Sequence, residues 1–189
     1  SLTETNVGLT ATAGNVSATV NDAANVTASA VRNDNGNVSV NLSSTSATTP
    51  LNATSANATT GFCSAVNNCR SATVTLSGQQ GVNVGTVSAS AQATSNVAAP
   101  FNSKSETVQI SSTNGSIRAM AGGGQVTATD VTLSTTQGTG GGIGIAGAPI
   151  SVNNARTFTF SPNGEFNVAL TGSGPNRLTA NVGVAAPGS

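Results

Sequence analysis

The side chains best able to transfer protons in this sequence are its six carboxylates, because the chain contains no histidine. Hydrolysis of a glycosidic bond, for example, requires two carboxylates that converge on the same sugar linkage. The acidic residues are far apart in sequence: Glu4, Asp22, Asp34, Glu106, Asp130 and Glu165. Glu106 and Asp130 are the pair that one turn of a stacked coil could bring together. We nevertheless expect no enzymatic activity and no catalytic residues.

Two cysteines, Cys63 and Cys69, could form a cross-link or bind a metal. Five residues separate them, which makes a loop that a disulfide could close. Two thiols without histidine or a second cysteine pair cannot complete a four-ligand zinc site. We therefore predict a structural disulfide formed in an oxidising compartment, and neither a metal nor a cofactor. Residues 33–37 carry oxygen donors around one charge, a pattern of a corner turn or of a weak calcium site.

The glycine-rich stretch Gly142-Ile-Gly-Ile-Ala-Gly147 matches the GxGxxG pattern of dinucleotide-binding loops. That function requires a helix directly after the loop, so that its N-terminus meets the pyrophosphate. Here Pro149 and a strand-like Ile150-Ser-Val152 follow instead. We interpret the stretch as small residues at a tight corner.

The amino-acid composition excludes several classes of function. Ser, Thr, Asn and Gly supply 96 of 189 residues, whereas six basic and six acidic residues give zero net charge. A nucleic-acid-binding surface needs a basic stripe, which six scattered cations cannot supply. Coiled-coil periodicity and an apolar run long enough to span a membrane are missing as well. The chain begins with Ser1, so we expect a processed product or an excised internal segment.

The elements that position these residues are predicted to be short β-strands. Asn6-Val, Asn15-Val, Asn25-Val and Asn37-Val each open a run of alternating small and apolar residues. Similar runs recur between residues 71 and 184, and no window has a helical apolar stripe. Residues 43–70 interrupt the rhythm and are predicted to project as an inserted loop. A smaller loop is predicted at 96–105. Residues 1–189 would then form one domain.

Two all-β architectures fit this pattern. A β-sandwich core is filled by large side chains from two facing sheets, but this chain has five Phe and no Trp or Tyr. A β-solenoid stacks thin coils about 4.8 Å apart, so Val, Ile, Leu and Ala suffice. We predict a solenoid with one or two projecting loops, at roughly 20 to 25 residues per coil and about eight coils. A β-sandwich is the alternative.

Several stretches resemble filamentous-haemagglutinin-like adhesins of the two-partner secretion pathway. They are residues 140–152 with Thr157-Phe-Thr-Phe160, residues 114–134, and the Asn-Val rhythm at the start. The resemblance implies a right-handed parallel β-helix at the outer surface of a Gram-negative bacterium. It also implies a stalk or binding module for host cells, other bacteria or matrix glycans. A self-assembling filament or biofilm-matrix subunit is the alternative function.

Within the predicted insertion, residues 48–70 are the candidate ligand loop, since a disulfide would lower the entropy cost of ordering it on binding. Its candidate contact residues are Asn57, Phe62, Asn67, Asn68 and Arg70. Pairs of the type Thr-x-Thr, such as Thr73 with Thr75, could instead form a flat ice-binding face. Their spacing is predicted to be too irregular for one stacked column.

Overall fold

A computed structural model describes residues 6–20, 25–32, 37–60, 71–91, 105–136 and 141–172, and the backbone of 177–180. The described part contains fifteen β-strands and no helix. The strands are β1 Asn6–Ala11, β2 Val16–Thr19, β3 Asn25–Arg32, β4 Val38–Ser44, β5 Leu51–Thr60, β6 Ser71–Gly78, β7 Gly81–Ala91, β8 Ser105–Ser112, β9 Ser116–Ala119, β10 Gly124–Thr127, β11 Asp130–Thr135, β12 Ile150–Asn153, β13 Thr157–Ser161, β14 Val168–Thr171 and β15 Arg177–Ala180.

The strands form two sheets in which every pairing is parallel. The first sheet has the order β1-β3-β5-β7-β10-β12-β14, with β9 also paired to β7. The second has the order β2-β4-β6-β8-β11-β13-β15. Up to β8, successive strands therefore alternate between the two sheets. A β-sandwich of antiparallel layers does not describe this topology.

Equivalent residues stack in straight columns despite the unequal lengths of the connections. Val40 pairs with Val74 and Val74 with Val108, each 34 residues further along the chain. Val108 pairs with Val131 after only 23 residues. The predicted 20 to 25 residues per coil is thus too short for the middle of the chain. Within the described residues, each sheet holds seven successive levels, whereas about eight coils were predicted for the full 189 residues.

The core is one cluster of small aliphatic side chains drawn from both sheets. Most of the strands alternate between more and less buried residues, as β6 does along its whole length. The buried positions are mostly Val, Leu, Ile and Ala, with Phe158 and Phe160 towards the end. This confirms the expectation of a thin core, because parallel neighbours above and below each side chain complete its burial.

One prediction about the body is wrong. Residues 51–60, placed in the projecting loop, form the ten-residue strand β5 in the middle of the first sheet. Leu51, Ala53 and Ala56 of this strand are fully buried. Ser43 and Ser44 likewise end β4. Of the second predicted loop, Ser105 begins β8, and residues 96–104 lie outside the described residues.

Strand β7 is the level at which the first sheet divides. Its first half, Gly81–Val84, pairs with β9, whereas Thr86–Ser88 pairs with β10. The chain leaves the sheet between these two strands through residues 120–123.

Candidate binding cleft

A column of asparagines runs along the outer side of the first sheet. Asn6 pairs with Asn25, Asn25 with Asn52, and Asn52 with Asn83. The Asn83 amide donates a hydrogen bond to Asn52 Oδ1 at 2.7 Å. Such ladders form when parallel stacking places identical side chains one level apart. The next residue in this column is Arg118, which pairs with Asn83.

The corner beside this column is built from three stacked connections, at residues 45–50, 79–80 and 113–115. Backbone hydrogen bonds continue through them: Gln79 N donates to Ser44 O at 3.0 Å, and Asn114 N donates to Gln79 O at 2.8 Å. Gly115 lies so close to the level below that a Cβ there would overlap the Gln80 carbonyl oxygen. Only glycine permits this close approach.

Buried hydroxyl groups hold the same connections from inside. Ser112, 1 % exposed, accepts a hydrogen bond from Gly115 N at 3.1 Å. Ser44 accepts from Ser46 N at 3.3 Å. At the following level, Thr135 plays the same part: it donates to Gly141 O at 2.6 Å and accepts from Asn163 N at 2.8 Å. Because each hydroxyl satisfies backbone groups that the sheet cannot pair, the corner is fixed before any ligand arrives.

A cleft of about 400 Å³ opens over this corner. Pro50 lines it from the first connection, and Gln80 with Asn83 from the second level. Asn114, Ser116 and Arg118 line it from the third level. Its volume lies in the lower part of the range of small-molecule sites, about 300–1,000 Å³.

Arg118 gives the cleft a positive charge. It is exposed and makes no hydrogen bond or ion pair with another described residue. The other side chains that line the cleft carry no charge. Two of the described carboxylates accept hydrogen bonds from backbone N–H groups that do not line the cleft. Glu165 accepts from Ala146 N at 3.1 Å, and Glu106 accepts from Ala91 N at 3.0 Å.

The lining side chains are hydrogen-bonding groups of the kinds that recognise hydroxyl-rich or anionic ligands. Asn83, Asn114 and Gln80 present amide donors and acceptors, and the Arg118 guanidinium presents a planar fork of donors. Gly142 N donates to Ser116 Oγ at 3.1 Å, which fixes that hydroxyl at the edge of the cleft. The arrangement can bind a polar ligand but offers no group that would transfer a proton at neutral pH.

The pairing considered for Glu106 and Asp130 is not formed. Asp130 pairs with Thr107, so the residue that reaches the Glu106 carboxylate is Thr129. Thr129 donates its hydroxyl to Glu106 Oε2. Glu106 shares a column with the buried Ala72, whereas Asp130 precedes the buried Val131 and points away from the core. The two carboxylates therefore face opposite sides of the second sheet, which is unsuitable for catalysis by a carboxylate pair.

Glu106 also borders a second concavity of about 390 Å³. Ser88, Thr127 and Asn154 contribute to its wall. Since Thr129 and the backbone of Ala91 hold the carboxylate, Glu106 acts as an anchor between the two sheets. No group of three or more metal-binding side chains occurs within the described ranges.

Of the predicted ligand residues, only Asn57 is described. It lies in β5, where its amide donates to Ser55 Oγ at 2.7 Å and its Oδ1 accepts from Ser88 Oγ at 2.7 Å. Asn57 is therefore part of the sheet surface and not of a loop. Phe62, Cys63, Asn67, Asn68, Cys69 and Arg70 lie outside the described residues.

The glycine-rich motif and the Thr-x-Thr pairs each have a defined place in the fold. Gly144 and Gly147 have φ of 72° and 80°, and Ile145 bridges Ala148, so the GxGxxG stretch is a tight corner as predicted. The Thr-x-Thr pairs do not share one column, as predicted: Thr10 and Thr127 lie in the first sheet, whereas Thr73 and Thr157 lie in one outward column of the second with Thr107 and Asp130. Asp130 interrupts this column, so no continuous threonine face forms along it.

Arg118 and its neighbours were not predicted as a site, since they come from three separate turns of the chain. The available signal was the motif Ser116-Ile-Arg-Ala119, where a long cation occupies an outward position of a strand otherwise surrounded by Ser, Thr, Asn and Gly. A single charge in such a surface marks a candidate contact residue. Its partners became visible only through the strand register.

Comparisons with protein-family models, with curated proteins and with solved structures return no match. In the part of the chain that the structure describes, no helix has the length and apolar character needed to cross a membrane. The cleft and the surface columns are therefore the features on which a functional assignment must rest.

Proposed function

We propose that the chain is a segment of a right-handed parallel β-helix and that it serves as a stalk and binding module of a secreted bacterial adhesin. The parallel pairing of seven levels in each sheet supports the helix. A right-handed connection is favoured because crossovers between parallel strands have this hand in nearly all proteins. At about 4.8 Å per level, the described coils extend roughly 30 Å along one axis.

The observation that carries the binding role is the cleft at Arg118. Its amides, hydroxyl and guanidinium match the hydroxyl and acidic groups of surface glycans. The outer columns are dominated by short, neutral, hydrogen-bonding side chains, which keep a long rod soluble without a strong net charge. Display on the outer surface of a Gram-negative bacterium is part of the proposal, on the strength of the resemblance to filamentous-haemagglutinin-like adhesins.

The test is binding of the purified chain to a panel of neutral and acidic glycans. Two variants are compared with the wild type: one in which Asn83, Asn114 and Arg118 are changed to Ala, Ala and Gln, and one in which residues 61–70 are replaced by a Gly/Ser linker of equal length. Loss of binding in the first variant supports the cleft, and loss in the second supports the originally predicted loop. A wild-type chain that binds no glycan and no bacterial or host cell surface refutes the adhesin function.

A second candidate function is a filament subunit that stacks end to end. In the last described level of the first sheet, Phe166 and Leu170 occupy inward columns, one level above Ile143 and Val152 respectively. They are nevertheless 39 % and 41 % exposed, because no described strand lies beyond them. Phe166 also stacks on Phe160 with ring centroids 4.1 Å apart. An open core of this kind favours the addition of a further coil.

Filament formation is tested by sedimentation and negative-stain microscopy of the wild type and of a variant with Phe166→Ser and Leu170→Ser. A subunit that joins through this end forms regular fibres, and the double variant does not. Ile145→Ser is the matched control, since Ile145 is 38 % exposed but lies outside the strands, in an isolated bridge to Ala148. A wild type that stays monomeric at high concentration excludes self-assembly.

A further inference from the structure

We propose that the cleft beside Arg118 binds a saccharide that carries a carboxylate, such as a uronic acid, with the guanidinium on the carboxylate and the neighbouring amides on the ring hydroxyls. This inference rests on the proposed binding role and specifies its ligand class.

The charge of the site favours an anion. Arg118 is the one charged residue among those that line the cleft. It contacts no carboxylate among the described residues, so its charge is not neutralised within this part of the molecule. Arginine pairs with a carboxylate through two parallel hydrogen bonds, which gives both energy and a defined orientation.

The strand register places Arg118 at the end of the asparagine column. Asn83, one level below Arg118, is held by its hydrogen bond to Asn52. On the opposite side, Ile143 bridges Ile117, so the position after it, Gly144, follows Arg118 in the column. The place of a side chain at Gly144 is taken by the Asn167 backbone, because a Cβ there would overlap the Asn167 carbonyl oxygen. Arg118 is therefore exposed at the cleft, one level above an asparagine whose amide is held in place.

The neutral part of the site fits a sugar ring. Gln80 and Asn114 have no side-chain hydrogen bond to another described residue, so their amides are available to ligand hydroxyls. The lining contains no aromatic side chain on which a ring could stack. Recognition must therefore come from hydrogen bonds and from the charge. This predicts modest affinity, strong dependence on the acidic group, and weakening at raised salt.

The experiment is calorimetric titration of the 189-residue chain with a trisaccharide of galacturonic acid and with its fully methyl-esterified form. The acid should bind, and the ester, which keeps the ring and loses the charge, should bind about 10- to 100-fold more weakly. Arg118→Gln should cause the same loss for the acid and little change for the ester. Arg118→Lys should be intermediate, since it keeps the charge without the fork.

Arg156→Gln is the matched control, because Arg156 is also exposed but does not line the cleft. It should leave binding unchanged, and circular dichroism should show both variants folded. Three results would overturn the carboxylate site and leave the adhesin role standing. They are equal binding of the acid and the ester, tighter binding of a sulfated trisaccharide, and equal losses of affinity in the two arginine variants. Failure to bind any glycan or cell surface would instead remove the binding role itself.

Discussion

Replacing Thr60 by valine should stabilise the protein, although threonine and valine have nearly the same shape. Thr60 ends β5, between Arg32 and Ala91 in the first sheet, and is fully buried. Among the described residues, its Oγ1 is the buried side-chain polar atom that has no hydrogen-bond partner. A buried polar group without a partner costs about 1–3 kcal/mol, and a methyl group at the same place avoids that cost.

We expect Thr60→Val to raise the free energy of unfolding by about 1–2 kcal/mol. In a chain of this length, each kcal/mol raises Tm by roughly 2–4 °C. Chemical denaturation followed by circular dichroism should show a higher midpoint with an unchanged slope. Thr60→Ser, which keeps the hydroxyl and removes the buried methyl, should lower the midpoint.

Thr135→Val is the control, and it should lower the free energy of unfolding. Thr135 is also buried, but its hydroxyl bonds Gly141 O and Asn163 N. Loss of these bonds should cost about 1–2 kcal/mol. If both valine variants shift the midpoint in the same direction, the hydrogen-bonding state of the buried hydroxyl does not decide its contribution, and the reasoning fails.

Two further predictions concern contacts between levels. Gly85→Ala should destabilise the protein by about 2 kcal/mol or more, because the new Cβ would overlap the Thr54 carbonyl oxygen of the adjacent strand; Gly8→Ala, where no atom lies within 4 Å, should be neutral or stabilising in the same thermal melt. Thr129→Val removes the hydroxyl that bonds the Glu106 carboxylate and should cost about 1.5–3 kcal/mol. The denaturation midpoint measures this loss of stability. An unchanged midpoint in Thr129→Val would show that the hydrogen bond to Glu106 contributes nothing to the free energy of unfolding.

The fold class could be predicted because the alternation survives in most strands. The four Asn-Val steps mark the beginnings of β1, β2, β3 and β4 to within one residue. Small core residues and the lack of large aromatics favoured stacked coils over facing layers, and the uniformly parallel pairing agrees with that preference. These features are local, so they can be recognised without knowing the partner of any strand.

Strand β5 was missed for two physical reasons. Its inward residues after Leu51 are only alanines and a threonine, which give a weak hydrophobic signal. In addition, Val26 and Thr27 pair with Ala53 and Ser55, so Thr54 is an extra residue that reverses the alternation within the strand. A small inward residue is sufficient here because Val84 and Val87 of the next level complete the packing.

The sequence by itself determined that this protein is a β-rich chain of short strands with a thin aliphatic core and few charges, because those properties depend on residue types and on a period of two. The tertiary structure alone decided which residues become neighbours. The strands pair in register although the connections between them differ in length. As a result, Asn83, Asn114 and Arg118 lie together at one corner. Glu106 and Asp130, in contrast, face opposite sides of a sheet. Hydrogen bonds and side-chain packing between parallel levels set that register, and it cannot be inferred from the spacing of residues along the chain.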